Sequence, residues 1–180
     1  PEMMLVNALL ATCGLEPLAE GVLSICADAQ ISYADGKVSG ALAGVPWGRN
    51  ATHVLAIVPG TPARLVLLPA DAAQCEQVLN TAGEPRDTLR FAQVSPVAEA
   101  ALPAAVSADA LLVGGAMLRT AQTAGALDRA LEISTQYAGE RKQFGKALAS
   151  FQAIQHQLAQ MAEQTGLGNA SSEAAFVESA

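Results

Sequence analysis

Residues 137–152 read Tyr-Ala-Gly-Glu-Arg-Lys-Gln-Phe-Gly-Lys-Ala-Leu-Ala-Ser-Phe-Gln, and the segment joins two stretches of helical periodicity. Arg141, Lys142 and Lys146 fall within six residues of one another, in a chain whose 10 Lys and Arg face 17 Asp and Glu for a net charge of −7. Arg141 closes the first helical stretch, and a guanidinium offers a planar fork of donors matched to two oxygens of an oxyanion. Gln143 adds a neutral amide, Phe144 an apolar plate, and Gly145 the left-handed backbone that lets the chain reverse into the next helix. The plain alternative is a solvated helix end, where cations are favoured by the helix dipole. Taken alone, these residues leave both readings open.

Toward the N-terminus, Ser107 and Asp109 supply a cap and a favourable charge for a helix starting near Ala108 and running to about Gly139. Leu127, Leu131, Ser134 and Ala138 recur at helical spacing, while Ala121, Ala124, Gly125 and Ala130 let another backbone approach closely. Toward the C-terminus, Ser150 is expected to cap a second helix with Phe151, Ile154, Leu158 and Met161 on one face. Gly166 and Gly168 are expected to end it, and Ser172 to open a third helical segment. Two helices and a fragment cannot close a bundle core, because each exposes an apolar face that needs further neighbours. The chain is therefore read as incomplete or obligately partnered. Pro1 at the start and a first helix with nothing to pack on point the same way.

Upstream, residues 3–13 are apolar at helical spacing and stop at Gly14. From 22 to 94 the pattern shortens to β-type runs at 22–25, 30–33, 37–42, 53–58, 64–68 and 89–94, with Asp35-Gly36 and the Pro-Gly-Thr-Pro of 59–62 as connections. The order is thus a helix, a small antiparallel β domain and an unfinished bundle, an α+β arrangement. A chain that is 51% hydrophobic can bury a core, and only 4% aromatics favours close helix packing with small side chains. The acidic balance argues against nucleic acid or an anionic membrane as the main partner. Cys13, Cys26 and Cys75 lack metal-ligand spacing and are expected to be reduced, mostly buried thiols; no metal site is expected. No apolar run is long enough for a membrane span, no signal peptide is evident, and a cytoplasmic location is expected, so the sequons at Asn50 and Asn169 are read as chance.

The ensemble of Leu127-Asp128-Arg129-Ala130-Leu131, then YAGERKQFG, then FQAIQHQLAQMA resembles the acyl-CoA dehydrogenase pattern of a Tyr-Ala-x-Glu-Arg-x-x-Phe-Gly turn followed by Phe-Gln and a Leu-Ala-x-Met helix. The likeness is specific over residues 125–162. It implies that Arg141 binds the FAD pyrophosphate of a neighbouring subunit, with Lys142, Gln143 and Phe144 beside it and Phe151 and Gln152 facing the same cofactor. It also implies an organisation: 1–20 as the end of an N-terminal helical domain, 21–103 as the middle β domain, and 104–180 as the first half of a C-terminal up-down helical bundle. The function implied is an FAD-dependent oxidation of an acyl-CoA thioester to the 2,3-enoyl-CoA. Oligomerisation through the bundle, as a dimer or tetramer, and an acceptor of the electron-transfer flavoprotein type are implied with it.

Several positions depart from that pattern. The flavin-binding loop that usually opens the middle domain is missing; Glu16-Pro17 keeps only a Glu-Pro pair. Trp47 is shifted by about three positions from the family's flavin-side Trp, which leaves it as a packing residue or a flavin neighbour. The family's catalytic carboxylate lies either late in the bundle or at a position that aligns near Gly115, which has no side chain, so no catalytic residue is named. Glu132 and Glu140 are read as surface partners for Arg129 and for Lys142 or Arg141. Arg49 is a candidate for a CoA phosphate or for a surface stack on Trp47, and His53 and His156 receive no role. This middle domain looks most like the short, atypical bacterial acyl-CoA dehydrogenase subunits, some of which share sites in mixed oligomers. The alternative to an active enzyme is a non-catalytic partner subunit that helps bind FAD.

Overall fold

The computed structural model describes residues 2–177 and divides at Gly115/Ala116 into two compact units. The first opens with α1 (Glu2–Thr12) and continues through β1 (Leu23–Cys26), β2 (Asp28–Ala34), β3 (Lys37–Pro46), β4 (His53–Val58), β5 (Arg64–Pro69), β6 (Gln74–Glu76), β7 (Arg86–Val94) and β8 (Ala98–Ala101). The strands form two four-stranded sheets, ordered β1-β4-β5-β8 and β2-β3-β7-β6. All pairings are antiparallel except β1 with β4, which run parallel. The short strands β6 and β8 carry no strong β signal in sequence, since Gln-Cys-Glu and Ala-Glu-Ala-Ala lack the β-branched and aromatic residues that mark a strand.

The continuous apolar runs of β4 and β5 have a physical cause: both faces of their sheet are covered. Val54, Ala56 and Val58 with Val66 and Leu68 point into a core shared with Ile31, Val38, Leu42, Leu89 and Phe91 of the second sheet. Leu55, Ile57, Leu65 and Leu67 point the other way, into a second core with Val6, Leu9 and Leu10 of α1. This corrects the expectation that the first helix has nothing to pack on. α1 covers the outer face of the β1-β4-β5-β8 sheet, and Val6 and Leu10 are fully buried there.

Asp35 and Gly36, both at positive φ, make the two-residue turn between β2 and β3 that their sequence predicts. Gly40 lies at φ 128 where β3 shifts register against β7, and a Cβ there would collide with the Gln30 carbonyl oxygen, so glycine is required by both backbone and space. Of the cysteines only Cys26 is buried, its thiol pushed up to about 12 by burial; Cys13 is half-buried and Cys75 exposed, contrary to the expectation of mostly buried thiols. Among the described residues no cluster of His, Cys, Asp or Glu could hold a metal ion, and no helix is long and apolar enough to cross a membrane.

The second unit contains most of α2 (Ala110–Glu140), a two-stranded ribbon of β9 (Lys142–Gln143) and β10 (Lys146–Ala147), and α3 (Gln152–Val177). Ser107 caps the start of α2 by accepting from the Asp109 N–H at 3.1 Å. Within the second unit the less exposed positions of α2 beyond Thr120 are Ala124 and the Leu127, Leu131, Ser134 and Ala138 expected from spacing. On α3 the less exposed positions include Ile154, Leu158, Met161, Thr165, Gly168 and Ser172, a row at helical spacing. The antiparallel pairing is fixed by an Asn169–Asp128 hydrogen bond of 3.0 Å and by Leu127, whose Cδ1 would lie 3.0 Å from a Cβ at Gly168. Gly166 and Gly168 therefore do not end the helix, and Ser172 does not begin another. α3 runs unbroken through all three, and at Gly168 the missing side chain serves the close approach of Leu127 rather than a cap. Ala121, Gly125 and Ala130 remain exposed or half-exposed, and so do Ile133, Tyr137 and Leu167.

Candidate functional site

α2 stops where Arg141 donates its N–H to the Tyr137 carbonyl at 2.8 Å and leaves the helix. Three residues later Phe144 (φ 52) and Gly145 (φ 79) make a two-residue turn with both positions left-handed, and the chain returns with Lys146 opposite Gln143 and Ala147 opposite Lys142. The Leu148 N–H then donates to the Arg141 carbonyl at 2.9 Å and locks the base of the ribbon. A short 3-10 turn at Leu148–Ser150 leads into α3. Ser150 does not act as the expected cap: its hydroxyl donates back to the Ala147 carbonyl at 2.7 Å. The extended Phe151 fills that place, its carbonyl accepting from the N–H groups of Ile154 and Gln155, each at 3.0 Å.

This turn brings Arg141, Lys142, Gln143, Phe144 and Phe151 together. The Phe144 ring is 92% exposed and meets Phe151 edge-on, 6.2 Å between centroids at 80°. A bulky apolar side chain held in the left-handed region and turned into solvent is disfavoured on both counts, a combination that concentrates at binding sites. Lys146 places its Nζ 4.3 Å above the Phe151 ring. Gln143 donates to the Lys142 carbonyl at 2.9 Å, and Gln152 opens α3 with its side chain in solvent.

The charge distribution sets this corner apart. Arg49, Arg64, Arg86, Arg90 and Arg129 each have a carboxylate partner, on Asp87, Glu99, Glu84, Glu76 and Glu132 respectively. Among the described residues no carboxylate lies within ion-pair reach of Arg141, Lys142 or Lys146. Glu140 turns away from them and accepts from Gln136 at 2.8 Å, so the expected pairing of Glu140 with Arg141 or Lys142 does not form, whereas that of Glu132 with Arg129 does, at 2.6 Å. Three uncompensated cations beside an exposed phenyl ring and two exposed amide side chains suit an anionic ligand with an aromatic part, and an FAD diphosphate fits that donor set.

In the first unit Arg49 is not available to a phosphate and does not stack on Trp47. Its guanidinium clasps the fully buried carboxylate of Asp87 at 2.6 Å, and its backbone N–H donates to the same group at 2.7 Å. These bonds hold the Asp87 carboxyl down at about 2. The Val78 N–H completes the shell at 3.0 Å. A strand begun at Leu89 leaves Asp87 out, which is why the sequence pattern alone does not single it out. Its place two residues before Leu89, on the inward face, is the signal that a partnered carboxylate is buried there. Trp47 sits at φ 52 with its indole half exposed, outside both cores. Gly115 faces only open space and the Ile25 Cδ1, 3.8 Å from where a Cβ would be. His53 bonds its neighbour Thr52, and His156 is exposed on α3.

The family profile for the acyl-CoA dehydrogenase C-terminal domain matches residues 106–175, which include this turn and both helices that carry it. The match runs beyond that segment: acyl-CoA dehydrogenase FadE34 of Mycobacterium tuberculosis is 33% identical over 138 residues, 68% of this chain and 19% of that protein. This is an acyl-CoA dehydrogenase-like chain. Its fold agrees with the structure of the ChsE4-ChsE5 complex from Mycobacterium tuberculosis, at a TM-score of 0.76 over 97% of this chain and 54% of the other, with 22% identity. The Tcur3481-Tcur3483 steroid ACAD superposes with a TM-score of 0.65 and 29% identity, over 89% of this chain and 43% of its own length. The acyl-CoA dehydrogenase-like chain thus spans a fifth of a curated relative and about half of its structural neighbours.

Proposed function

We propose that this chain is part of an FAD-dependent oxidoreductase that converts an acyl-CoA thioester to its 2,3-enoyl-CoA. The observation that carries the reading is the turn at 141–152, where three unpaired cations surround an exposed, strained Phe144 inside an acidic chain. Arg141 would bind the FAD diphosphate with its guanidinium fork, and Lys142 would add to the local positive field. Gln143 and Gln152 would offer amides to the ribityl or phosphate oxygens, and Phe144 and Phe151 would shield one side of the cofactor from water. Bound FAD would supply the acceptor for the hydride that leaves the substrate's β-carbon. Removal of the α-proton requires a carboxylate, and we assign it to no residue of this chain, since the position near Gly115 offers no side chain.

In this reading 1–20 are the end of an N-terminal helical domain, 21–103 the middle domain and 104–180 the first half of a C-terminal bundle. The exposed Ile133, Tyr137 and Leu167 support assembly through the bundle as a dimer or tetramer, with FAD held between subunits. An acceptor of the electron-transfer flavoprotein type and a cytoplasmic location go with it. A second reading makes the chain a partner subunit without a base of its own; Gly115 favours it, as does the likeness to a steroid ACAD named for two components.

Flavin uptake tests the proposal. The full-length protein, purified alone and with any co-expressed second subunit, is expected to carry FAD and to reduce it on addition of acyl-CoA. Turnover by the chain alone would favour the first reading, and turnover only in the mixed preparation the second. A protein that takes up no FAD in either form would contradict both.

A further inference from the structure

Within the FAD-binding reading above, the ribbon geometry points to a further ligand: we infer that Lys146 is the second phosphate-binding cation of the site, acting beside Arg141 on the face that carries Gln143 and Phe151. Side chains of directly paired residues in an antiparallel ladder stand on the same side, and successive residues on opposite sides. Gln143 pairs with Lys146 and Lys142 with Ala147, so Gln143 and Lys146 share one face of the ribbon and Lys142 stands on the other. Lys146 extends along that face until its Nζ lies 4.3 Å above the Phe151 ring, whose other neighbour is the exposed Phe144.

The ring holds the ammonium at a fixed place without using its donors. A cation over an aromatic face is attracted by the ring quadrupole, and its N–H bonds on the solvent side remain free. No carboxylate neutralises it among the described residues. A preset, unpaired cation between Gln143 and the Phe151-Gln152 segment is placed for an oxyanion lying along these groups, and it loses less side-chain freedom on binding than a lysine extended into water.

The test is FAD affinity of the deflavinated full-length protein in its native assembly, measured at low and high salt. Lys146→Met keeps the aliphatic stem over Phe151 and removes the charge. It is expected to weaken FAD binding about tenfold at low salt, with a gap that narrows as salt screens the phosphate contact, and to leave the thermal melt of the apoprotein unchanged. Lys146→Arg is expected to keep near wild-type affinity. Wild-type affinity in Lys146→Met, or a loss that Lys146→Arg shares and salt does not change, would overturn the inference while leaving the FAD reading intact. Failure of the wild-type protein to bind FAD would overturn the reading itself.

Discussion

At the scale of single residues, the first unit is organised around a carboxylate. Asp87 has no exposure, and it accepts from the Arg49 backbone, the Arg49 guanidinium and the Val78 backbone. These bonds fix the turn that follows β3, where Gly48 packs so tightly that a Cβ would lie 3.0 Å from the Asp87 Cβ. Trp47, left-handed at φ 52 just before it, donates its N–H to the Pro85 carbonyl at 3.1 Å. Asp87→Asn keeps the shape but loses the charge and half of the acceptor capacity. It is expected to lower the unfolding free energy by about 2 kcal/mol, read from urea denaturation at neutral pH. Because the folded carboxyl is depressed from 3.8 to about 2, its contribution is fully present above pH 4 and is lost as pH falls toward 2. The wild-type and Asp87→Asn stabilities should therefore converge over that window. Nothing in composition announces this pair. The alternation of Asp87, Leu89 and Phe91 on the inward face does, once the strand is started at Arg86.

At the scale of elements, legibility follows burial. The runs at 53–58 and 64–68 can be read because both their faces are packed, and the Asp35-Gly36 turn because its backbone demands those residue types. The edge strands β6 and β8 cannot, since a strand paired on one side needs little apolar character. The expected end of the second helix fails for a physical reason. Glycine in a helical pattern signals either a cap or a close approach, and only the partner decides. At Gly168 the partner is Leu127; at Gly166 there is none, with nothing within 4 Å of where a Cβ would stand. Gly166→Ala is expected to raise the thermal and urea stability of the helical unit by about 1 kcal/mol through helix propensity. An unchanged or lowered stability would show that another surface packs against that side of α3.

At the scale of the whole molecule, the candidate site stands where the charge pattern breaks. A chain with net charge −7 pairs Arg49, Arg64, Arg86, Arg90 and Arg129 with carboxylates and, among the described residues, leaves Arg141, Lys142 and Lys146 without one around a single turn. The residues of that turn can be named from sequence, because its chemistry is local and contiguous. What cannot be named from it is the carboxylate that the proposed reaction requires, or a partner for the exposed Ile133, Tyr137 and Leu167. The most direct measurement is the FAD dissociation constant of the full-length protein against that of Arg141→Gln. A guanidinium on the diphosphate predicts a loss of roughly 10- to 100-fold, with the apoprotein melt unchanged; equal affinity in the two proteins would contradict it.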